Sequence, residues 1–307
     1  MAETLLKPVD EAPPTGRAPG GAARLSAYYE LTKPGITGFV VITAAVAYYV
    51  AVRGEAPLLP VLHTLLGTLM GTAGALALNQ YVEREVDARM VRTRSRPIPS
   101  GRMAPREALA FGALMLAVGV GYLWAFVGWL PALLTAVSAA TYLWVYTPMK
   151  SRSYLATLVG AVPGAVPALI GWAAATGTLH LGAAVLFGIA FLWQLPHVLA
   201  LAWLLREDYR IAGFFMTPPT DPSGARIGRH MVYHSISLLI VSAFPTVLGL
   251  TGMVYLAGAF VLGGLMLAST ISAAMDMTRS RARRVFLGSL LYQPLLLSLM
   301  LVDTVRL

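Results

Sequence analysis

Three side chains bearing oxygen, Asn79, Glu83 and Asp87, recur at i, i+4 and i+8. On a helix those positions lie along one face. An amide and two carboxylates in a row suit a hard cation such as Mg²⁺, which prefers oxygen donors. Arg89, Arg92, Arg94, Arg96 and Arg102 follow within fifteen residues of Asp87. Guanidinium groups match phosphate oxygens in charge and shape. Carboxylates followed by arginines are what a metal-bridged diphosphate needs. The competing reading is a solvated loop whose arginines merely mark the cytoplasmic side of a membrane.

The elements that carry these residues are membrane helices. The 307-residue chain is 57% hydrophobic and 12% charged, with a mean hydropathy of +0.69. Soluble domains carry about twice that charged fraction. Apolar runs long enough to cross a bilayer are expected at 35–52, 60–82, 107–126, 128–147, 154–174, 181–204, 231–251, 253–275 and 285–303. The fold class is therefore all-α: a polytopic bundle of nine transmembrane helices. Residues 1–24 contain Glu3, Asp10, Glu11, Pro13 and Pro14 and no apolar core, so they read as a disordered cytoplasmic tail rather than a secretory signal. Residues 25–307 form the membrane domain.

With the N-terminus inside, all but two of the 23 Lys and Arg residues fall on the cytoplasmic side, the exceptions being Arg53 and Arg306. Nine spans then put the C-terminus outside. The net charge of +9 sits in membrane loops, so nucleic acid is a poor partner. The absence of cysteine excludes disulfides, thiolate nucleophiles and Cys-ligated metals. The polar residues gather at cytoplasmic helix ends. That suits an enzyme joining one polar and one lipid-like reactant, whereas a transporter tends to place polar groups near the midplane.

Two further groups join the row. The sixth span contains Gln194, Pro196 and His197 and runs on to Asp208 and Tyr209. On an unbroken helix His197 and Asp208 share a face, about 16 Å apart in depth. An ionisable residue inside a span is a functional candidate; the plainer reading is a neutral histidine bonded to backbone. The fourth span ends on Tyr146, Pro148 and Lys150. Lys150 can meet a phosphate as a point charge, or simply snorkel to the interface beside a belt tyrosine. The fifth span is rich in glycine and proline from Gly160 to Gly171, which allows close helix approach or room for a flat ligand.

Taken together, these segments resemble the UbiA superfamily of intramembrane prenyltransferases and, within it, the haem O synthase branch. The resemblance runs from Leu31 to Asp303. It is carried by Leu31-Thr32-Lys33-Pro34, by the Asn79, Glu83 and Asp87 row, and by Arg92 to Arg102 with its two prolines. Tyr146 to Lys150, Gly164 to Trp172, Gln194 to His197, Asp208-Tyr209, and Ala282 to Tyr292 follow in order. Glu83 departs from the family's usual Asp by one methylene, and Gly35 stands where a basic residue is common.

The resemblance implies a UbiA-like bundle with its active site at the cytoplasmic face of a membrane, bacterial rather than mitochondrial. It implies Mg²⁺-dependent farnesyl transfer from farnesyl diphosphate to a vinyl group of haem b, giving haem O for terminal oxidases. Asn79, Glu83, Asp87 and Asp208 would hold the metal, and Arg89, Arg92, Arg96 and Lys150 the diphosphate. Tyr146 and Lys150 would join the catalytic set, and His197 would contact haem. Membrane lipid and a downstream haem-modifying or oxidase-assembly protein are the implied partners. The alternatives are a prenyltransferase acting on a quinone precursor or other aromatic, and a haem-handling membrane protein or transporter without catalysis.

Overall fold

The computed structural model describes residues 21–218 and 220–306. Among them nine helical spans are long and apolar enough to cross a membrane. A short helix, α1 (Gly21–Leu31), precedes them. The spans are α2 (Pro34–Ala51), α3 (Leu58–Val82), α5 (Pro105–Phe126), α8 (Ala156–Thr176), α9 (Leu181–Leu204), α13 (Met253–Met275) and α14 (Arg279–Val302), with two composite spans. The first composite runs through α6 (Trp129–Ala140), a π-helical stretch (Thr141–Tyr146) and α7 (Thr147–Met149). The second joins α11 (Ala225–Val241) to α12 (Phe244–Val247). Two short helices lie at the basic end, α4 (Arg84–Asp87) and α10 (Arg206–Ile211). The described residues contain no strand, only an isolated bridge between Thr251 and Thr304.

The expected spans match these within a few residues, except that the seventh and ninth begin six residues early, at Ala225 and Arg279. Charged turns such as Arg279 to Arg284 are helical but too polar to register as apolar. Gly21 to Arg24, expected to belong to the tail, form the first turn of α1; the rest of that tail lies outside the described residues.

Helices approach closely where side chains are small, as membrane packing favours. A Cβ at Gly74 of α3 would lie 2.3 Å from Leu116 N of α5, and one at Gly119 of α5 would lie 2.3 Å from Gly71 N of α3. Likewise a Cβ at Gly171 of α8 would reach to 2.0 Å from Ala44 O of α2. Prolines inside helices free carbonyls that need new partners. Pro167 cannot donate to Pro163 O, and Ser138 Oγ of α6 fills that place at 3.2 Å. The larger core joins α2, α8 and α9 to α11, α13 and α14 through Trp193, Trp203, Tyr255 and Tyr292.

The two basic residues set apart by charge meet at one end. Arg53 donates to Gly249 O, and the Arg306 side chain lies against Gly54. The remaining arginine-rich segments join helices at the opposite end, the one that the charge asymmetry predicts to be cytoplasmic.

Two outcomes follow. A reporter active only in the cytoplasm, fused after Leu307, should give no signal. Gly74→Val should destabilise the protein by about 3 kcal/mol through overpacking, read as a lower apparent melting midpoint in detergent. Gly264→Val, where nothing lies within 4 Å of the added carbon, should leave the midpoint nearly unchanged.

Candidate active site

The row starts on the last turn of α3. That helix ends at Val82, and Glu83 occupies the bend (φ −88°, ψ 3°) before α4. The i to i+4 backbone bonds nevertheless continue, from Glu83 N to Asn79 O at 2.9 Å and from Asp87 N to Glu83 O at 2.8 Å. The three side chains therefore stay aligned across the break. They are also buried, with Asn79 1%, Glu83 7% and Asp87 1% exposed. A solvated charged face is excluded by that burial.

Each member is engaged. Asn79 Oδ1 accepts from Lys33 Nζ at 3.2 Å and from the Tyr142 hydroxyl at 3.3 Å, while its Nδ2 donates to Thr147 Oγ1 at 3.1 Å. Glu83 Oε1 accepts from Lys150 Nζ at 2.6 Å. Asp87 Oδ2 accepts from Arg96 at 2.5 Å. Asp87 Oδ1 is buried with no partner, an orphaned lone pair aimed into an otherwise satisfied site.

Lys150 is delivered by the irregular end of the fourth span. Thr147 N–H closes a π turn on Tyr142 O, and Thr147 Oγ1 bonds the same carbonyl at 2.8 Å. Single π turns recur at functional sites. Here the wide turn stacks Tyr142 on Tyr146, with centroids 5.4 Å apart, and brings Lys150 Nζ to 4.5 Å from the Tyr146 ring centroid. Lys150 is 9% exposed. Its pKa is raised: burial opposes the charge, but the neighbouring tyrosines and Glu83 outweigh it.

Lys33 was legible only as part of the opening motif. The structure puts it in the left-handed region (φ 45°) before Pro34, where the residue ahead of a proline is barred from the helical region. That turn aims its ammonium at Asn79. Half-buried by area, Lys33 has its pKa pushed down to about 7, by burial first and then by the charges of Arg96 and Lys150.

The other expected members are placed differently. Arg89 and Arg92 are exposed, and Arg92 reaches the surroundings of Tyr209, whose pKa is raised chiefly by burial. Arg102 leaves the row to form a bidentate pair with Glu30, at 2.7 and 2.6 Å. The condition of an unbroken helix from His197 to Asp208 is not met: the helix breaks at Leu205, where α9 stops and α10 begins, while Pro196 stays inside α9. Asp208 is half-buried, and no hydrogen bond or ion pair links its side chain to Glu83 or Asp87 among the described residues. His197 faces α14. Its Nδ1 lies 2.8 Å from Ser289 Oγ, and its ring stacks between Trp193 and Phe286, with centroids 5.5 and 4.8 Å away.

Below the polar mouth is a cavity of about 250 Å³ lined by α2, α3, α6, α8 and α9. Its wall is mostly apolar, with Tyr142 and Tyr146 at the top and Pro167 and Ile170 deeper. Both tyrosines belong to mouth and chamber at once.

The helical fold is shared with known proteins. The family model for UbiA prenyltransferases matches residues 40–294. The chain belongs to the UbiA prenyltransferase family. The protoheme IX farnesyltransferase of Solibacter usitatus is 44% identical over 285 residues, covering 90% of this chain and 98% of that protein. The protein of the same name from Opitutus terrae is 40% identical, covering 93% and 97%. Among solved structures, a digeranylgeranylglyceryl phosphate synthase superposes with a TM-score of 0.77 at 18% identity, covering 92% of this chain and 99% of that one. A UbiA homolog from Archaeoglobus fulgidus bound to GPP and Mg²⁺ gives 0.59 at 16%, covering 89% and 99%. The shared fold and the relatives make this UbiA-family chain a membrane prenyltransferase.

Lys33 gives this site a testable cost. Free lysine titrates at 10.5, so between about pH 7 and 10.5 the unfolded enzyme binds more protons than the folded one. Stability therefore rises with pH across that window. Lys33→Met should raise the apparent melting midpoint by about a few degrees at pH 7, raise it less at pH 10, and weaken pyrophosphate binding. An unchanged midpoint at pH 7 would show that the ammonium carries no burial penalty.

Proposed function

We propose that the enzyme transfers a farnesyl group from farnesyl diphosphate to a vinyl group of haem b at the cytoplasmic face of a bacterial membrane. The observation that carries the first substrate is the junction itself. A mouth holding Lys33, Arg96 and Lys150 opens through Tyr142 and Tyr146 onto an apolar chamber. One molecule with a charged head and a long apolar tail satisfies both halves. Haem as the acceptor is supported by the names of the relatives that match nearly end to end.

The donors fit a magnesium ion. Asn79, Glu83 and Asp87 offer only oxygen, and Asp87 Oδ1 is unengaged. Among the described residues no three acidic or histidine side chains form a ready cage. Mg²⁺ is usually held by a few protein oxygens together with substrate phosphates, so the ion would bind along with the diphosphate. Asn79, Glu83 and Asp87 would hold it, with Asp208 as the added ligand that the family pattern suggests. When bound, the ion supplies neutralising charge to the diphosphate.

The chain's own residues carry the rest. Lys33, Lys150 and Arg96 stabilise the negative charge that grows on the diphosphate as the allylic C–O bond breaks and its electron pair leaves. Arg89 and Arg92, exposed at the rim, draw the anion in. The chamber keeps bulk water from the allylic cation. A haem vinyl group supplies the electron pair for the new C–C bond, and water then adds to give a hydroxyethylfarnesyl haem. His197, held by Ser289 between Trp193 and Phe286, is the proposed haem contact.

Expression in a host lacking the activity, followed by pigment extraction and mass measurement, should show the farnesylated, hydrated haem. Asp87→Ala should reduce product at least a hundredfold, with folded protein still in the membrane. Chelation of divalent metal should stop diphosphate release, and added Mg²⁺ should restore it. Prenylation of an aromatic acid in preference to haem, or full activity in Asp87→Ala, would overturn the assignment.

A further inference from the structure

Three hydroxyls in the chamber wall are engaged by backbone. Thr135 Oγ1 donates to Pro131 O at 2.9 Å, Ser138 Oγ to Pro163 O at 3.2 Å, and Thr157 Oγ1 to Tyr154 O at 3.0 Å. Gln194, the one carboxamide in the wall, differs. Its Nε2 is anchored by Ala190 O at 2.9 Å and Ala161 O at 3.4 Å. Its Oε1 accepts no hydrogen bond among the described residues, yet it is not one of the sealed, orphaned atoms. It opens to the cavity.

Gly164 makes room for that oxygen, since a Cβ there would come within 1.9 Å of it. The depth is informative. Gly160 packs on the Tyr146 ring, and Gly164 lies one turn further along α8, about 6 Å at 1.5 Å per residue. The free carbonyl oxygen therefore sits just below the mouth, where a carbon leaving the diphosphate would first meet its acceptor. Tyr146, whose hydroxyl makes no hydrogen bond among the described residues, lines the same cavity.

We infer that Gln194 positions the water that ends the reaction. The inference rests on the haem reading above. Formation of the C–C bond leaves a cation on the vinyl carbon next to the porphyrin. A water oxygen donates an electron pair to that carbon, forming the C–O bond, and the water proton passes to the diphosphate released at the mouth. The competing path is loss of a proton from the neighbouring carbon, which gives an alkene lighter by one water. An apolar chamber favours that path unless a fixed polar group holds a water at the cation. A buried water needs at least two polar partners. Gln194 Oε1 and the Tyr146 hydroxyl provide them, and the anchored Nε2 keeps the oxygen from turning away.

The test reads product identity rather than rate. Purified enzyme is given farnesyl diphosphate, haem b and Mg²⁺ in ¹⁸O-labelled water, and products are resolved by mass. Wild type should give the hydrated product carrying solvent oxygen. Gln194→Leu should shift the hydrated-to-alkene ratio at least tenfold toward alkene with pyrophosphate binding unchanged, and Gln194→Glu, which keeps an acceptor, should retain hydration. Gly164→Ala displaces the oxygen without removing it and should shift the ratio the same way, which keeps the test decisive where Gln194→Leu fails to fold. A wild-type ratio in either Gln194→Leu or Gly164→Ala overturns the inference alone. No haem-derived product from wild type overturns the haem reading and this inference together.

Discussion

A carboxylate and an ammonium held out of water at a membrane edge must meet, and the rest of the site depends on where they do. Glu83 and Lys150 pair at 2.6 Å with both side chains nearly covered. Glu83 is the bend at the end of α3, and Lys150 is the residue after α7, so the pair fixes the spacing of two spans at the mouth. Lys150 O also accepts from Phe215 N at 2.7 Å, and its ammonium lies 5.7 Å from the Phe214 ring centroid, which brings in the chain after α10. Removing one partner of such a pair costs about 3–5 kcal/mol, because the other charge is left uncompensated. An apolar pair of similar size could hold the helices equally well. Stability alone therefore does not account for these charges, whereas a charged ligand at the mouth does.

A second clamp keeps the arginine segment folded over α1. Arg102 grips Glu30 in two places, and the Glu30 carboxyl is held below its usual range by that contact. Its contribution is present above the ordinary carboxylate range and fades as pH falls through the lowered value. Ile98 and Met103 bury against Ala27 and Leu31, and Gln80 Nε2 donates to Leu31 O at 2.8 Å. The arginines thus divide by task. Arg102 is architectural, Arg96 faces Asp87, and Arg89 and Arg92 remain at the surface.

Small residues set the scale of the chamber. At α3 and α5 they let backbones touch, which substitutes in lipid for the hydrophobic drive available in water. At Gly160 and Gly164 the same lack of a side chain instead admits the Tyr146 ring and the Gln194 oxygen. Glycine thus packs one helix pair tightly and opens space beside another.

The sequence by itself determined the helical class, the number of spans and the asymmetry of charge. Those follow from local hydropathy and from the cost of carrying arginine across a bilayer, and neither needs a partner helix. It also determined the Asn79, Glu83 and Asp87 face, because i to i+4 spacing is a local property that survives the bend at Glu83. Pairing was decided only by the tertiary structure. Nothing local says that Lys150 meets Glu83, that Arg96 rather than Arg92 meets Asp87, or that Lys33 turns toward Asn79. Those contacts link residues up to 67 positions apart and depend on how spans pack. The faces of α9 were settled the same way. Gln194 points into the chamber and His197 toward α14, a division made by which neighbour lies on each side. The break at Leu205 likewise has no proline or glycine to announce it, so the depth relation between His197 and Asp208 was beyond the reach of sequence spacing.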